Sequence, residues 1–173
     1  MGSFDGVPGE LRGVFFKSVM GSMLLAKTLF PRLVEQVETM HDEGWYPWRA
    51  YLEALEMLSS QLDDSVMKRA GRRVITNSRS MFMLQGFTSL QKVMSAYASM
   101  FDANVRGVPE DHRVGTVSYR SGRVEMTYGA QQPVAISEGY LRGFFEIFDT
   151  RIDELTITRL SPARVGIIVT WTP

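Results

Sequence analysis

The hydrophobic period of this chain changes once, at Gly107-Val108-Pro109. Before that point apolar residues recur every three or four positions, as a helix with one buried face requires. After it they alternate, as a half-buried strand requires. Helices crowd the first half, and no helical crossover joins every pair of strands. The expected fold class is therefore α+β. An N-terminal helical half of about five helices is followed by hairpin, helix and hairpin, which form a small, mainly antiparallel sheet.

Five helices are expected over residues 11–101. Val14, Phe15, Val19, Met23 and Ala26 mark the face of the first. Pro31 opens the second, which passes through Leu33, Val34, Val37 and Met40 to a stop at Gly44. Pro47 opens the third, with Tyr51, Leu52, Leu55, Leu58 and Leu62 inward and Glu53 and Glu56 outward. Asp64 and Ser65 are the candidate N-caps of the fourth, through Val66, Ala70, Val74 and Met81, and the fifth covers residues 88–101. Beyond the break, two alternating runs flank Arg120-Ser121-Gly122-Arg123, a turn sequence that predicts a hairpin. Residues 137–150 follow as a helix with Tyr140, Leu141, Phe144, Phe145 and Phe148 on its apolar side. A second hairpin is expected from 154–160 and 164–171.

A length of 173 residues suits one domain with its own core. Residues 1–10, with three glycines and a proline, are expected to form a flexible lead-in to a single domain over 11–173. The absence of cysteine excludes disulfides, thiolate catalysis and Cys-ligated metal. Two histidines, His41 at a helix end and His112 in a polar loop, leave no multi-histidine centre, so no metal site is assigned. No phosphate loop, dinucleotide fingerprint or nucleophile elbow is present, no catalytic residue is assigned, and the chain is not expected to be an enzyme. The formal net charge is +0, so nothing steers nucleic acid or an anionic membrane to it. Lys17 and Lys27 interrupt the longest apolar stretches well short of a membrane span, and the opening residues lack a signal-peptide pattern. The expected location is the cytoplasm.

Charge is unevenly placed. Residues 1–64 carry five basic and ten acidic side chains, whereas residues 65–130 carry ten basic and four acidic. Lys68, Arg69, Arg72, Arg73 and Arg79 gather on neighbouring sides of one helix. They read either as a solvated face paired with the acidic half, or as a surface for an anion or an acidic partner. The 11 methionines sit mostly at helical spacing, as core filler or as the wall of an adaptable apolar pocket. Trp45, Tyr46 and Trp48 form an aromatic cluster near helices expected to be exposed, and a small sheet leaves edges to cover. Together these point to a homodimer.

Tyr119-Arg120-Ser121-Gly122-Arg123 holds a phenol, a hydroxyl and a guanidinium on one tight hairpin, a set suited to gripping carboxylates. The pattern Tyr-x-Ser-x-Arg resembles the motif that grips the heme propionates in the heme nitric oxide/oxygen-binding (H-NOX) family. The run Leu11-Arg12-Gly13-Val14-Phe15-Phe16 resembles the opening into that family's first helix, and residues 46–55 and 66–72 resemble its central helices. Gly44-Trp45-Tyr46-Pro47 before a Leu-rich helix is similar to the small paralogous domains of myxobacteria. Those belong to the same broad superfamily, with vinyl-reductase-type sensors and TRAPP trafficking subunits. The resemblance covers about residues 11–171. It implies a cavity between the helical half and the sheet, and a role in bacterial signalling as a ligand sensor or protein-interaction module.

The H-NOX proximal histidine lies on the helix before the motif. Here residues 89–101 contain no histidine, and Met94 stands nearest that place. The cysteine cluster with which vinyl-reductase-type sensors hold zinc is also missing. The expectation is a heme-free domain with a protein signalling partner. Its candidate ligand-binding residues are Tyr119, Ser121, Arg123 and Met94, and its ligand a small apolar or carboxylate molecule. The alternative is a heme-dependent NO/O2 gas sensor using Tyr119-x-Ser121-x-Arg123. In a ligand-binding role Tyr119 and Arg123, of equal parity, would share one inward strand face. In a structural role Arg123 would sit outside and pair with Glu125 or Glu138.

Overall fold

The structure, a computed structural model, describes residues 4–173. Its elements follow the expected order with refinements at their ends. Strand β1 (Glu10–Arg12) leads into α1 (Gly13–Ser22), the single turn α2 (Ala26–Leu29) and α3 (Pro31–Glu38). Then come β2 (Trp45–Pro47), α4 (Trp48–Ser59), α5 (Asp64–Asn77), α6 (Arg79–Leu84), α7 (Leu90–Asp102) and β3 (Val105–Arg106). A short 3-10 turn at Glu110–His112 precedes β4 (Val117–Arg120), β5 (Arg123–Gly129), α8 (Val134–Ile147), β6 (Glu154–Arg159) and β7 (Arg164–Thr170). Among the described residues no helix is long and apolar enough to cross a membrane.

Local chemistry explains where the boundaries move. The N-cap of α5 is Asp63 and neither Asp64 nor Ser65: its carboxylate accepts from the Val66 N–H at 3.0 Å and from the Ser65 hydroxyl at 2.6 Å. The expected fourth helix breaks at Ser78, whose hydroxyl donates back to the Val74 carbonyl after Thr76 and Asn77, two weak helix formers. Pro133 starts α8 three residues earlier than expected. The described part of the lead-in, residues 4–10, packs inward through Phe4 and Val7. Glu10 is the first residue of β1 and pairs with Arg106 of β3.

Two antiparallel sheets form. The larger has the order β4-β5-β7-β6, with Val124, Met126 and Tyr128 of β5 opposite Val169, Ile167 and Val165 of β7 on the buried face. The smaller, β2-β1-β3, was not expected: strands of two or three residues are too short to show a period. Leu11 at its centre is fully buried between Tyr46 and Val105.

Helix α8 is the middle of the molecule, with only Arg142 and Glu146 exposed along its length. One side meets the sheet, where the Phe145 ring stands 5.1 Å from that of Trp171. The other side meets α5 at backbone distance. A methyl group at Gly71 would collide with the Ile136 carbonyl oxygen, and one at Gly139 with the Lys68 carbonyl oxygen. Gly143 faces Ile75 and the Arg72 backbone in the same way. These contacts rise in step along both helices, so α5 and α8 run in the same direction.

Ion pairs close the flank of this crossing. Glu138, almost wholly buried, accepts from Lys68 at 2.8 Å and Arg142 at 2.8 Å, and Arg72 forks onto Glu146. Burial alone would raise the Glu138 carboxyl, but the hydrogen bonds from Lys68 and Arg142 outweigh it and hold the pKa below its ordinary value.

His112, placed in a polar loop by the sequence, is buried. Its Nδ1 accepts from the indole N–H of Trp48 at 3.0 Å. Burial holds its pKa below the ordinary value, against an opposing pull from Asp111.

Two outcomes are expected. Replacing Gly71 or Gly139 by Ala should destabilise by roughly 1–3 kcal/mol through overpacking, read as a lower urea midpoint. The same change at Gly21, which has open space around it, should be neutral or slightly stabilising. For His112, the unfolded chain takes up its proton first. Stability should therefore fall as pH drops through the ordinary imidazole value of 6.5 toward the lower folded one. Thermal melts from pH 7 down to about pH 5 should show that loss, and His112→Gln should flatten it.

Candidate ligand cavity

A cavity of about 560 Å³ lies between the helical half and the core around α8. Val14, Phe15 and Ser18 of α1 form one wall, and Val74 and Ile75 of α5 with Met81 and Phe82 of α6 form another. Met100 and Phe101 of α7 contribute a third. The lining is predominantly apolar. Its deep end is aromatic: Phe144 of α8 stands 5.3 Å from Phe82 and 5.4 Å from Tyr97.

Three tyrosines reach the deep end from three elements, Tyr97 from α7, Tyr128 from β5 and Tyr140 from α8. The Tyr128 and Tyr97 hydroxyls are hydrogen-bonded at 2.6 Å. The Tyr51 hydroxyl, behind them, donates to Gln132 Oε1 at 3.4 Å. The Tyr140 hydroxyl lies beside that of Tyr51, and a hydrogen bond between the two contributes to the pKa shifts of both. Burial pushes all four phenols above their ordinary value, so they are neutral donors and acceptors at physiological pH.

The exposed part of the lining is mixed: Glu43 and Gln85 stand there beside Val14, Met81 and Ala103, and Arg12 forms an ion pair with Glu43. Arg12 also lies 4.9 Å from the ring centre of Trp45, and Arg106 lies 4.4 Å from the same ring, so the indole takes two cation–π contacts. Of the aromatic cluster Trp48 is fully buried, whereas Trp45, flanked by these arginines, and Tyr46 are half-buried.

The ligand residues picked from the sequence lie elsewhere. In the β4–β5 hairpin Tyr119 pairs with Val124, and Arg120 pairs with Arg123. A two-residue turn thus flips the parity rule, and Tyr119 and Arg123 take opposite faces. Tyr119 packs on Trp171 at 5.6 Å between ring centres. Arg123 is exposed and bonds Glu125 at 2.6 Å, as its structural role would have it. Ser121 occupies the exposed turn beside Gly122, whose φ of 79° is the left-handed conformation glycine favours. Met94 is fully buried in the core and does not line the cavity.

The basic set also divides. Lys68 and Arg72 are engaged by Glu138 and Glu146 of α8, and Arg69 donates to Ser65 at 3.2 Å. Arg73 and Arg79 are exposed. Among the described residues no group of three or more His, Cys, Asp or Glu is placed to hold a metal ion. Sequence reasoning missed Tyr97, Tyr128 and Tyr140 as a set. The available signal was phenols at core positions, because a buried tyrosine hydroxyl needs a polar neighbour.

No family model matches the chain, and no curated protein does. Solved structures do. An H-NOX protein from S. oneidensis, a triple mutant in the Fe(II) state, superposes with a TM-score of 0.68 at 13% identity, covering 94% of this chain and 97% of that one. The unliganded Fe(II) H-NOX protein from K. algicida gives 0.67 at 13% identity with the same coverage. An oxygen-binding H-NOX domain related to soluble guanylate cyclases, in its oxygen complex, gives 0.64 at 12% identity over 94% and 96% of the two chains. At such identities the likeness speaks to architecture alone, and it extends over nearly the whole chain: this protein has the fold of an H-NOX domain.

Proposed function

We propose that the chain is a non-enzymatic signalling domain, cytoplasmic and heme-free, that holds a small, largely apolar molecule in the cavity beneath α1 and reports its occupancy to a protein partner. The observation that carries the reading is the cavity itself. Its volume of about 560 Å³ lies within the range of roughly 300–1,000 Å³ usual for small-molecule sites, and its lining is apolar with a few converging hydroxyls.

The donor set supports the heme-free part. Among the described lining residues there is no imidazole, and thioethers are offered only by Met81 and Met100. The lining phenols have raised pKa values, which disfavours the phenolate an iron would need. Arg12, the one cation in the described lining, is engaged by Glu43, and Tyr119, Ser121 and Arg123 lie outside. These residues do not fit a heme with its two propionates.

A route from cavity to surface supports the signalling part. Helix α1 lines the cavity and runs directly into α2, around which Leu24, Leu25 and Leu29 are exposed. Cavity wall and exposed apolar surface are therefore one continuous stretch of chain, suited to another protein or to a second copy.

Hemin titration of the purified protein should give no sharp Soret band and no one-to-one pyridine hemochrome. Native mass spectrometry of freshly purified protein should show a retained small molecule. A stoichiometric heme complex that is lost in Tyr97→Phe or Met100→Leu would select the gas-sensor alternative.

A further inference from the structure

The larger sheet ends differently on its two sides. At one edge α7 packs against β4, whereas β6, at the other, makes its substantial contacts with β7. Glu154, Thr156, Thr158 and Arg159 of β6 are exposed, Leu155 and Ile157 are half-buried, and Leu160 just beyond them is 58% exposed.

Register fixes which backbone groups face this opening. The Leu160 N–H donates to the Arg164 carbonyl, and the β6–β7 pairing steps back from there through Thr158 with Gly166 and Thr156 with Ile168. Hydrogen-bonded pairs alternate along an antiparallel ladder, so the N–H and C=O groups of Leu155 and Ile157 point away from β7. The Trp171 N–H bond to Gly122 sets the matching phase on the other side of β7. Among the described residues no turn, loop or side chain engages the main chain of Leu155 or Ile157 from outside.

Such an edge is ordinarily blunted by proline, lysine or a bulge. The run Leu155-Thr156-Ile157-Thr158 has no proline and no charge, and it is largely β-branched. Charges stand at its ends instead: Asp153 and Glu154 precede it and Arg159 closes it, all three exposed. A second β6 laid antiparallel about Thr156 brings the acidic entry of each strand beside the Arg159 of the other. A parallel copy would set like charges together, which disfavours it. Arg151 lies beyond the paired span. The same antiparallel register sets Leu155 opposite the second copy's Ile157 and joins their outward backbone groups in about four ladder hydrogen bonds.

We infer that β6 is where a second copy of this chain docks, the two strands pairing antiparallel about Thr156 so that two four-stranded sheets become one. The contact is isologous and uses the open edge of both copies, so assembly stops at the dimer. A ladder this short makes the dimer a transient one. The inference is independent of the ligand-holding function proposed above, and it places the homodimer expected from the sequence at the sheet edge.

The chain has no cysteine, which makes the register directly testable. Thr156→Cys sets two thiols opposite each other at a non-hydrogen-bonded pair, with Cα atoms about 4.5 Å apart and within disulfide reach. Thr158→Cys leaves its thiols several residues apart along the ladder. Mild oxidation should link the first variant into a dimer and leave the second monomeric. In sedimentation the wild type should pass from monomer to dimer as concentration rises. Arg159→Glu should weaken that association about tenfold, since it turns attraction into repulsion at both ends. Adding Asp153→Arg and Glu154→Arg should restore it. Ile157→Pro removes an outward N–H that β7 does not use, and should abolish association. Melting temperatures check the fold, and the exposed charge variants decide the matter if the proline variant unfolds. A wild type that stays monomeric at every concentration overturns the second copy as occupant, leaving the edge to a strand of another protein. A dimer unaffected by Arg159→Glu, or equal cross-linking of the two cysteine variants, overturns pairing through β6.

Discussion

Everything in this fold is arranged around the contact of α5 with α8. Gly71, Gly139 and Gly143 let two helix backbones meet where any larger residue would hold them apart. That closeness allows α8 to be buried on nearly every side, with α5 behind it and the sheet in front. The Lys68–Glu138–Arg142 and Arg72–Glu146 pairs then close the flank. A carboxylate as buried as Glu138 is tolerable only because two cations reach it at once. Lys68 and Arg72 of the basic set are consequently part of the frame, while Arg69 and Arg73 of α5 and Arg79 of α6 are exposed.

Much of the frame was legible in the sequence. The change of period located the passage from helices to sheet, and Ser121-Gly122 located the hairpin, because patterns of burial and turn chemistry repeat over enough residues to be seen. The small sheet was not legible, since Glu10–Arg12 and Val105–Arg106 are too brief for alternation and are paired across most of the helical half. The three glycines of the α5–α8 crossing were equally silent. A glycine inside a helix reads as a weakness until the backbone it faces is known.

The site was less legible than the frame, for a geometrical reason. Its tyrosines come from α7, β5 and α8, far apart in sequence, and each sits where an ordinary core residue would. A five-residue motif draws attention because its members are adjacent in the chain, yet adjacency across a two-residue turn sends Tyr119 and Arg123 to opposite faces. The likeness to the H-NOX fold therefore speaks to the path of the backbone alone. The hairpin that would grip charged groups packs against Trp171, and the cavity is furnished with neutral hydroxyls.

Trp45 occupies an unusual electrical position. Its ring is flanked by Arg106, tied to Glu10, and by Arg12, which belongs to the cavity rim and to the ion pair with Glu43. Trp48 and Trp171 are sealed in the core, so of the three indoles this one has its surroundings set by the rim. Any rearrangement of Arg12 alters the field across an intrinsic chromophore. The domain thus carries a built-in optical gauge of its own entrance, readable in the ultraviolet without a label.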